Sequence, residues 1–441
     1  MENVQTPAKS DAQTAQPAAP KTQRSRLKKI LLGMLSILGV LLLVALYLYL
    51  FEMTSHSKPT QAPLAIQPSG DKALDAIRRG FNYLRVYQEA DGGFSIGLVD
   101  PKPAVTALVL ESLVKSPLPD SEKDPAMIKR ATQAILSKQQ PDGSICTPML
   151  NLDVYSTSIS LLALKALNDP AYAGAIEKAK QYLLKVQHDV EDGNPQFGGV
   201  GYGAKGNVDG GNTAQWIEAL KEAGVTENDP AFKNETKFIS RLQNSEENDY
   251  HLPDTEVGTD GGFVYRPGEG KDGEGKEGED RPRSGKHIPK SYGMMSYAGL
   301  KSFLYMNVDK KESRVQSAWK WVKDNYTLEE NKNIGADGLY YCYLTMAKAL
   351  AVYGEPIVET SDGKKHDWAR ELEAKLLSQQ LADGSWKNTR SGRWREDDNV
   401  MVTAFAIRTL AICRDFAEKH PAPAEASTAP EANKPAEAKK E

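Results

Sequence analysis

Cysteine is scarce in this chain: Cys146, Cys342 and Cys413 are the only three among 441 residues. They lie far apart within apolar stretches, where an unpaired cysteine behaves as a small buried hydrophobe. An odd and sparse count excludes a disulfide framework, and no two cysteines have the spacing of a paired metal site. The cysteines therefore indicate neither the compartment nor a metal centre.

An excess of basic residues is also missing. The chain carries 55 Lys and Arg against 59 Asp and Glu, which gives a net charge of −4. The first 29 residues hold six of the positive charges and two of the acids, so the remaining chain is more acidic still. Nucleic-acid-binding domains present a basic face, and we therefore expect no nucleic-acid partner.

One apolar run is long enough to cross a membrane, residues 30–51, with 22 positions free of charge. About 20 apolar residues suffice for a helix that spans the hydrocarbon layer. The basic segment 21–29 precedes the run, and Lys58 is the one positive charge soon after it, so the positive-inside rule places the N-terminus in the cytoplasm. A cleaved signal peptide would have a shorter apolar region and a small-residue cleavage site. We expect a single-pass cell-membrane protein whose large domain is periplasmic or extracellular.

Composition divides the rest of the chain. Residues 1–29 form the cytoplasmic tail, and residues 52–70 form a linker rich in Pro, Ser, Thr and Gln. Residues 421–441 are a Pro/Ala/Glu/Lys tail that is predicted to be disordered. An insertion at 266–290, poor in apolar residues, is predicted to be a flexible loop. The folded domain is predicted to cover 71–420.

A repeat runs through that domain. Six times, a helical segment usually ends in Gln, a Gly-containing turn follows, and a second helix begins; the clearest copies are 79–94 and 376–386, and the fifth copy lacks the Gln. The first helix of each pair is amphipathic and the second is apolar nearly all round, which predicts half-buried and fully buried helices. Six such pairs close into two concentric rings. The predicted fold is all-α, an α6/α6 toroid.

The pattern basic-Gly-x-x-aromatic-Leu-x-x-x-Gln-x-x-x-Gly-x-aromatic resembles the QW repeat of squalene and terpenoid cyclases and of protein prenyltransferase β subunits. The resemblance covers residues 71–415 and is clearest in the first and last copies. It implies the toroid fold, but a fold does not determine a reaction.

The cyclase resemblance implies a catalytic acid in an Asp-x-Asp-Asp-Thr-Ala motif, with the middle carboxyl as proton donor. The nearest match here is 209–214, Asp-Gly-Gly-Asn-Thr-Ala, where Gly211 stands at the donor position. We therefore do not expect proton-initiated cyclisation. Asp209 and Asn212 are expected to cap their helix. The catalytic candidates that remain are Asp209 and, in the sixth copy, Asp397 and Asp398.

The prenyltransferase resemblance implies zinc held by an Asp-x-Cys pair and a distant His. The sequence has no Asp-x-Cys, and it also lacks the Cys-Gly-Glu-Gln of complement-like thioester toroids. We therefore expect no metal and no cofactor. Carbohydrate-active toroids use two opposed carboxylates, and the sequence does not show which of its acids face each other.

Polar and aromatic residues gather at the starts of the second helices, which meet at one mouth of the ring. A concave, aromatic-lined pocket with a few polar groups is the usual form of a ligand site, although packing and helix capping would use the same residues. The predicted ligand-binding residues are Asp153, Tyr155, Asn212, Tyr292, Tyr297, Tyr340, Tyr341 and Tyr343.

Three functional hypotheses remain. The first is a membrane-anchored module that binds an apolar or isoprenoid lipid, a peptide or a glycan. The second is an enzyme of isoprenoid or polysaccharide chemistry, a cyclase, transferase or lyase with non-standard acids. The third is a structural protein of the cell envelope. An open cavity would favour the first two, and convergent acids with raised pKa values would favour the enzyme.

Overall fold

The computed structural model describes residues 33–46, 64–66, 68–97, 101–248, 250, 252, 255–267 and 288–421. The chain divides into two units, Met1–His56 and Ser57–Glu441. In the first unit, residues 33–46 form helix α1 with exposed apolar side chains. The two ends of the predicted membrane helix, 30–32 and 47–51, lie outside the described residues, as do most of the insertion and the C-terminal tail. None of the helices that are described combines the length and the apolar character needed to span a membrane.

The described part of the second unit consists of paired helices. The first members of the pairs are α2 (Lys72–Tyr87), α4 (Pro125–Leu136), α6 (Ala173–Lys185), α8 (Pro230–Arg241), α10 (Ser313–Asn325) and α12 (Trp368–Gln379). The second members are α3 (Lys102–Val114), α5 (Asp153–Ala166), α7 (Gly210–Glu222), α9 (Gly293–Tyr305), α11 (Leu339–Tyr353) and α13 (Asn399–Lys419). Single 3₁₀ turns occur at Pro170–Tyr172 and Arg393–Arg395. A short antiparallel hairpin, β1 (Ile357–Glu359) and β2 (Lys365–Asp367), joins α11 to α12.

The second helices form a closed inner ring. Each packs against the next in the order α3, α5, α7, α9, α11 and α13, and α13 packs back against α3. The first helices form the outer ring, which closes where α12 and α13 contact α2. The all-α toroid predicted from the repeats is confirmed for the described residues.

Burial follows the predicted alternation between the rings. In the inner helix α9, 11 of 13 residues are buried. In the outer helix α6, only Ala179, Tyr182 and Leu183 are buried. The apolar character of the inner helices therefore reflects contact on both sides, with the outer ring and with neighbouring inner helices.

The repeated Gln joins each outer helix to the next. The side-chain amide of Gln88 donates through Nε2 to Gly92 O of its own turn and to Met127 O in the first turn of α4, at 2.9 and 3.0 Å. Gln139, Gln187 and Gln243 make the same pair of hydrogen bonds in their own copies. In the last copy Gln380 donates to Gly384 O and to Ala76 O of α2, both at 2.8 Å, and so bonds across the seam of the ring.

The turn glycine is required by both backbone conformation and space. Gly384 has a φ of +90°, and a Cβ there would lie 2.6 Å from the carbonyl oxygen of Arg79 on α2. Gly92 has a φ of +86°, and a Cβ would lie 2.5 Å from Arg130 O on α4. Only glycine takes this conformation without strain while allowing the next helix so close.

A hydroxyl at the start of most inner helices fixes the turn from the other side. Thr106 Oγ1 accepts from Phe94 N, and Thr403 Oγ1 accepts from Trp386 N, both at 3.0 Å. Thr157, Thr213 and Ser296 make the corresponding bond in their copies. The aromatic side chain of the turn is thereby directed between the rings, where Trp386 is fully buried.

Part of the predicted linker lies against the ring. The amide side chain of Asn82 on α2 accepts from Leu64 N and donates to Leu64 O, both at 2.8 Å. Residue 64 therefore contacts the ring, although the sequence places the domain boundary at residue 71.

Candidate ligand site inside the inner ring

Several residues on the inner helices are partly exposed although these helices are enclosed by the outer ring. They include Leu108 of α3, Tyr155 of α5, Gly211 of α7 and Tyr341 of α11. Because the outer faces of these helices are covered, their exposed surface faces the central space of the ring. We call this space the lumen.

Five tyrosines, which we call the tyrosine cluster, gather where the inner helices begin: Tyr155, Tyr202, Tyr265, Tyr292 and Tyr341. The rings of Tyr155 and Tyr202 are 5.8 Å apart, and Tyr155 N donates to Tyr202 O at 3.0 Å. The Tyr202 hydroxyl is hydrogen-bonded to Tyr265 and Asn212. Arg266 lies over the Tyr265 ring, 5.0 Å from its centre.

Asp209 is the carboxyl group of the cluster. It is fully buried and is the N-cap of α7, where its carboxylate accepts from Asn212 N and Asn212 Nδ2, both at 2.8 Å. The Tyr265 hydroxyl donates to it as well. Burial raises the pKa of Asp209, and these hydrogen bonds offset only part of that effect. Asp209 is thus the helix cap expected from the sequence, whereas Asn212 holds the carboxylate rather than capping the helix itself.

Tyr292 supplies an unsatisfied polar group. It is the N-cap residue of α9 and is 1 % exposed, and its hydroxyl bonds to no described group. Burial, together with the charge of Asp209, raises its pKa far above the ordinary value. The hydroxyl is therefore a neutral donor, and a buried polar group without a partner costs about 1–3 kcal/mol.

Tyr341 approaches the cluster from the opposite side of the ring. Burial raises its pKa, and Tyr155 of α5 adds to the effect although α5 and α11 face each other across the lumen. Its backbone N–H donates to Glu396 Oε1 at 2.8 Å, and Tyr340 N donates to Glu396 Oε2 at 3.2 Å. Glu396 therefore holds the start of α11, and burial raises its pKa to about 7.

Three predicted tyrosines and one predicted acid make contacts that hold the inner helices together, and their role in ligand binding stays a prediction. Tyr340 and Tyr343 form an edge-to-face pair at 5.7 Å, and the Tyr343 hydroxyl donates to Leu328 O at 2.6 Å. Tyr297 is buried beside Cys342. Asp153 accepts from the Tyr182 hydroxyl and, at 3.0 Å, from Ala204 N, which ties α5 to α6 and to the loop before α7.

The acids of the sixth copy lie away from the tyrosine cluster. Asp398 is the N-cap of α13 and accepts from Val400 N and Met401 N at 2.9 and 3.2 Å. Burial raises its pKa, and its charge acts on Tyr83 of the outer helix α2. Asp397 is exposed beside Gly392 in the preceding loop. Of the three catalytic candidates, the structure brings Asp209 alone to the cluster.

Beyond the tyrosine cluster, the lumen contains a buried set of charges, which we call the ionic layer: Glu111, Glu218, Lys301, Lys348 and Arg408. Glu218 accepts from Lys301 Nζ at 2.5 Å and from Lys348 Nζ at 2.7 Å. Arg408 Nε donates to Glu111 Oε1 at 3.2 Å. Burial raises the pKa of Glu218, but the two lysines outweigh it and hold the pKa far below the ordinary value.

Sequence reasoning missed the ionic layer and two members of the cluster. Each charged residue of the layer is the ninth or tenth residue of its inner helix. The recurrence of a charged residue at the same position in otherwise apolar helices could have predicted the layer. Tyr202 and Tyr265 precede their nearest inner helices in loops of no regular pattern. Their positions depend on backbone bonds such as Gly210 N to Tyr265 O at 2.9 Å.

No family model and no curated protein matches this chain. Among solved structures, an α-1,6-mannanase of Salegentibacter sp. HEL1_6, in complex with α-1,6-mannotriose, aligns with a TM-score of 0.51 and 11 % identity over 78 % of this chain and 100 % of that one. The type II terpene cyclase MstE from Scytonema aligns with a TM-score of 0.49 and 11 % identity over 78 % and 99 %. A protein from Actinoplanes gives 0.46 and 15 % over 78 % and 100 %. At these identities the mannanase match concerns the fold alone, and it identifies the second unit as an α/α toroid.

Proposed function

We propose that the tyrosine cluster binds a glycan in the lumen and that the chain is an enzyme of polysaccharide chemistry. The observation that carries the proposal is the convergence of five tyrosine hydroxyls and one buried carboxyl, Asp209, where the inner helices begin, with the Tyr292 hydroxyl lacking a partner among the described residues. Aromatic faces and convergent polar groups are the usual components of a ligand pocket.

The hydroxyls favour a polyhydroxylated ligand over a purely apolar one. An apolar chain against Tyr292 would leave its buried hydroxyl unsatisfied, at a cost of about 1–3 kcal/mol. The Tyr292 hydroxyl is sealed from solvent, so glycan binding requires its neighbours to shift. A sugar hydroxyl would then accept its hydrogen bond, and the aromatic faces would cover the apolar side of a sugar ring. Asn212 and Arg266 contribute further polar groups to the same cluster.

Asp209 is the proposed proton-transfer group. Burial raises its pKa, which brings a carboxyl closer to the range in which it can give or take a proton at neutral pH. Asn212 and Tyr265 fix its orientation. The mannanase of Salegentibacter, which has the same fold, forms a complex with a mannotriose, which supports a glycan as the ligand but does not transfer its reaction.

A second candidate ligand is an isoprenoid. It is supported by the apolar part of the lumen, where Tyr341 packs against Phe405 at 5.6 Å and Leu108 is partly exposed, and by the resemblance of the repeats to squalene cyclases. In that case the aromatic faces would bind the chain, with or without conversion.

The proposed location is outside the cytoplasm, with the apolar run 30–51 as a membrane anchor. The charge asymmetry around that run supports this orientation. Protease added to intact spheroplasts should remove the ring and spare a small N-terminal fragment. Full protection of the ring would reverse the orientation.

The function is tested with the full chain purified in detergent. Mannotriose, cellotriose, chitotriose and trigalacturonate are titrated by calorimetry, squalene is included as the apolar probe, and products are separated by mass-resolved chromatography. We expect at least one oligosaccharide to bind, Tyr292→Phe to weaken binding about tenfold, and Asp209→Asn to abolish turnover while changing affinity less than about threefold.

Two matched variants serve as controls. Tyr87→Phe removes a hydroxyl on the outer helix α2, and Asp397→Asn removes a carboxylate outside the cluster; both should behave as wild type. Binding of squalene but of no oligosaccharide would replace the glycan proposal by the isoprenoid one. Oligosaccharide turnover that survives in Asp209→Asn would exclude Asp209 as the proton-transfer group.

A further inference from the structure

A cavity of about 470 Å³ opens at the end of the inner ring opposite the tyrosine cluster. Its walls include Lys115, Tyr305 and Val352, which lie at or near the C-terminal ends of α3, α9 and α11. We call it the basal pocket. Because the tyrosine cluster lies where the inner helices begin, the two sites are at opposite ends of the lumen, and ligand binding at the basal pocket does not depend on the proposed function.

The floor of the basal pocket is formed by the ionic layer. Glu218, Lys348 and Arg408 all line the cavity. The side chains of Lys348 and Arg408 are only 10 % and 15 % exposed. Cationic groups held this far from bulk water interact strongly with any anion that reaches them, since the local screening is weak.

Arg408 has unused donors that face this space. Its Nε donates to Glu111 at 3.2 Å, while its two terminal nitrogens have no partner among the described residues and are not sealed from solvent. Lys348 Nζ donates to Glu218 at 2.7 Å, the one hydrogen bond it makes to a described group. The planar terminal edge of a guanidinium matches a carboxylate or a phosphate through two parallel hydrogen bonds.

The ionic layer carries one positive charge in excess, because Lys301, Lys348 and Arg408 face the two carboxylates Glu111 and Glu218. Lys115 of the wall lies 3.5 Å from Glu111. Over all the residues that line the cavity, four cations and four carboxylates balance. At the rim, most of the acids are already paired: Asp415 lies 2.8 Å from Lys419, and Glu418 lies 3.0 Å from Arg414. Glu222 remains as an exposed carboxylate at the edge.

The C-terminal ends of the inner helices carry a partial negative charge, which disfavours an anion at this mouth. That effect falls off within the last turn of a helix. Arg408 lies three turns before the end of α13 at Lys419. The pocket also has an apolar wall formed by Ala351, Val352 and Ile412. A ligand that fits both parts carries an acidic head and a short apolar group.

We propose that the basal pocket binds a small organic oxyanion, with its carboxylate or phosphate group on the free edge of Arg408 next to Lys348 and its apolar part against Val352 and Ile412. Carboxylate and phosphate share the geometry that Arg408 recognises. The experiment distinguishes the two.

The test uses the full chain in a non-ionic detergent, with hexanoate, phenyl phosphate and inorganic phosphate as probes and hexylamine as the cationic counterpart. Binding is measured by calorimetry. We expect hexanoate or phenyl phosphate to bind more than tenfold better than hexylamine, and the better of the two identifies the head group. Inorganic phosphate should bind more weakly than phenyl phosphate because it lacks the apolar part.

Arg408→Lys keeps a cation beside Glu111 but removes the planar edge, so it should weaken anion binding at least tenfold. If circular dichroism shows that this variant does not fold, the double variant Glu111→Gln with Arg408→Gln replaces it, since it removes the ion pair without leaving a buried charge. Arg393→Lys, which alters a surface ion pair with Asp337, is the matched control. Three results would overturn the proposal. Hexylamine could bind as well as the anions, no anion could bind, or the Arg408 variants could keep the wild-type affinity.

Discussion

Single acids cap the inner helices α7 and α13, and one of these acids also belongs to the tyrosine cluster. Asp209 and Asp398 both cap a helix, yet only Asp209 also contacts the tyrosine cluster through Tyr265. The capping role could be predicted from sequence because Asp directly before an apolar helix is a common N-cap. The contact with Tyr265 could not be predicted, since residue 265 is more than 50 positions away and its loop has no periodic pattern.

The capping role of Asp209 predicts how its variants differ in stability. Asp209→Ala should lower the free energy of unfolding by about 1 kcal/mol, because Ala cannot accept from the first-turn N–H. Asp209→Asn should change it by less than about 0.5 kcal/mol, because Asn caps equally well. Urea denaturation of both variants measures the difference. Equal losses would show that the charge, and not the cap, is what the fold requires.

Glu396 predicts a pH dependence. Burial raises its pKa from 4.5 to about 7, so the folded chain binds this proton more tightly than the unfolded chain. The stability it contributes is present below pH 4.5 and is lost as the pH rises to 7, by about 3 kcal/mol in total. Other groups titrate in the same range, so the quantity to measure is the difference between wild type and Glu396→Gln.

We expect the free energy of unfolding of wild type, relative to Glu396→Gln, to be about 3 kcal/mol larger at about pH 4.5 than at about pH 8. Urea denaturation at the two pH values gives this difference. The same relative stability at both would mean that Glu396 is ionised throughout, held by the N–H groups of Tyr340 and Tyr341.

Among the structural elements, the turn of each repeat could be predicted best from the sequence. Gln, Gly and the aromatic residue recur in a recognisable order, and the helices begin and end close to where that order places them. The partner of each Gln could not be predicted, because it is a carbonyl of the next outer helix, such as Met127 O for Gln88. The hairpin β1–β2 was also missed, since its two strands have three residues each and lie between α11 and α12, outside the repeated turn.

In the turn of the last copy, removal of one aromatic side chain is predicted to cause a large loss of stability. Trp386 is fully buried between the rings, and its Nε1 donates to Leu376 O at 2.8 Å. Trp386→Ala should lower the free energy of unfolding by about 3–5 kcal/mol. Trp394→Ala, at a partly exposed position, should cost clearly less. A loss below about 0.5 kcal/mol at Trp386, typical of surface changes, would show that the repeated aromatic residue does not stabilise the ring.

At the scale of the whole toroid, stability depends on closure. Gln380 of the last copy donates to Ala76 of α2, and α13 packs against α3. Removing the chain from Trp368 onward would expose the apolar faces of α2, α3 and α11 together. The truncated protein should therefore lose its cooperative urea transition and associate in gel filtration.

Truncation after residue 421 is the matched control, because it leaves all described helices intact, and it should keep the wild-type transition. A monomeric fragment ending at residue 367 that still unfolds in one sharp transition would indicate an open solenoid, in which each repeat needs only its neighbours.

The lumen as a whole differs from the mouth that the sequence predicted. The inner helices present tyrosines where they begin and charges further along, and Tyr341, on which both Asp209 and Glu218 act, lies between the two zones. Helical periodicity could identify the inner helices. The rotation of each helix about its own axis decides which side chains face the lumen, and it depends on packing against both neighbours. For that reason Tyr155 and Tyr341 face the lumen while Tyr340 and Tyr343 do not.

A structure of the full chain with the tightest-binding oligosaccharide tests whether the tyrosine cluster is a glycan site. We expect a sugar ring in the lumen with a hydroxyl within about 3.2 Å of the Tyr292 hydroxyl and with Asp209 facing a glycosidic oxygen or a sugar carbon. A sugar bound on the outer ring, with the Tyr292 hydroxyl still unpartnered, would contradict it.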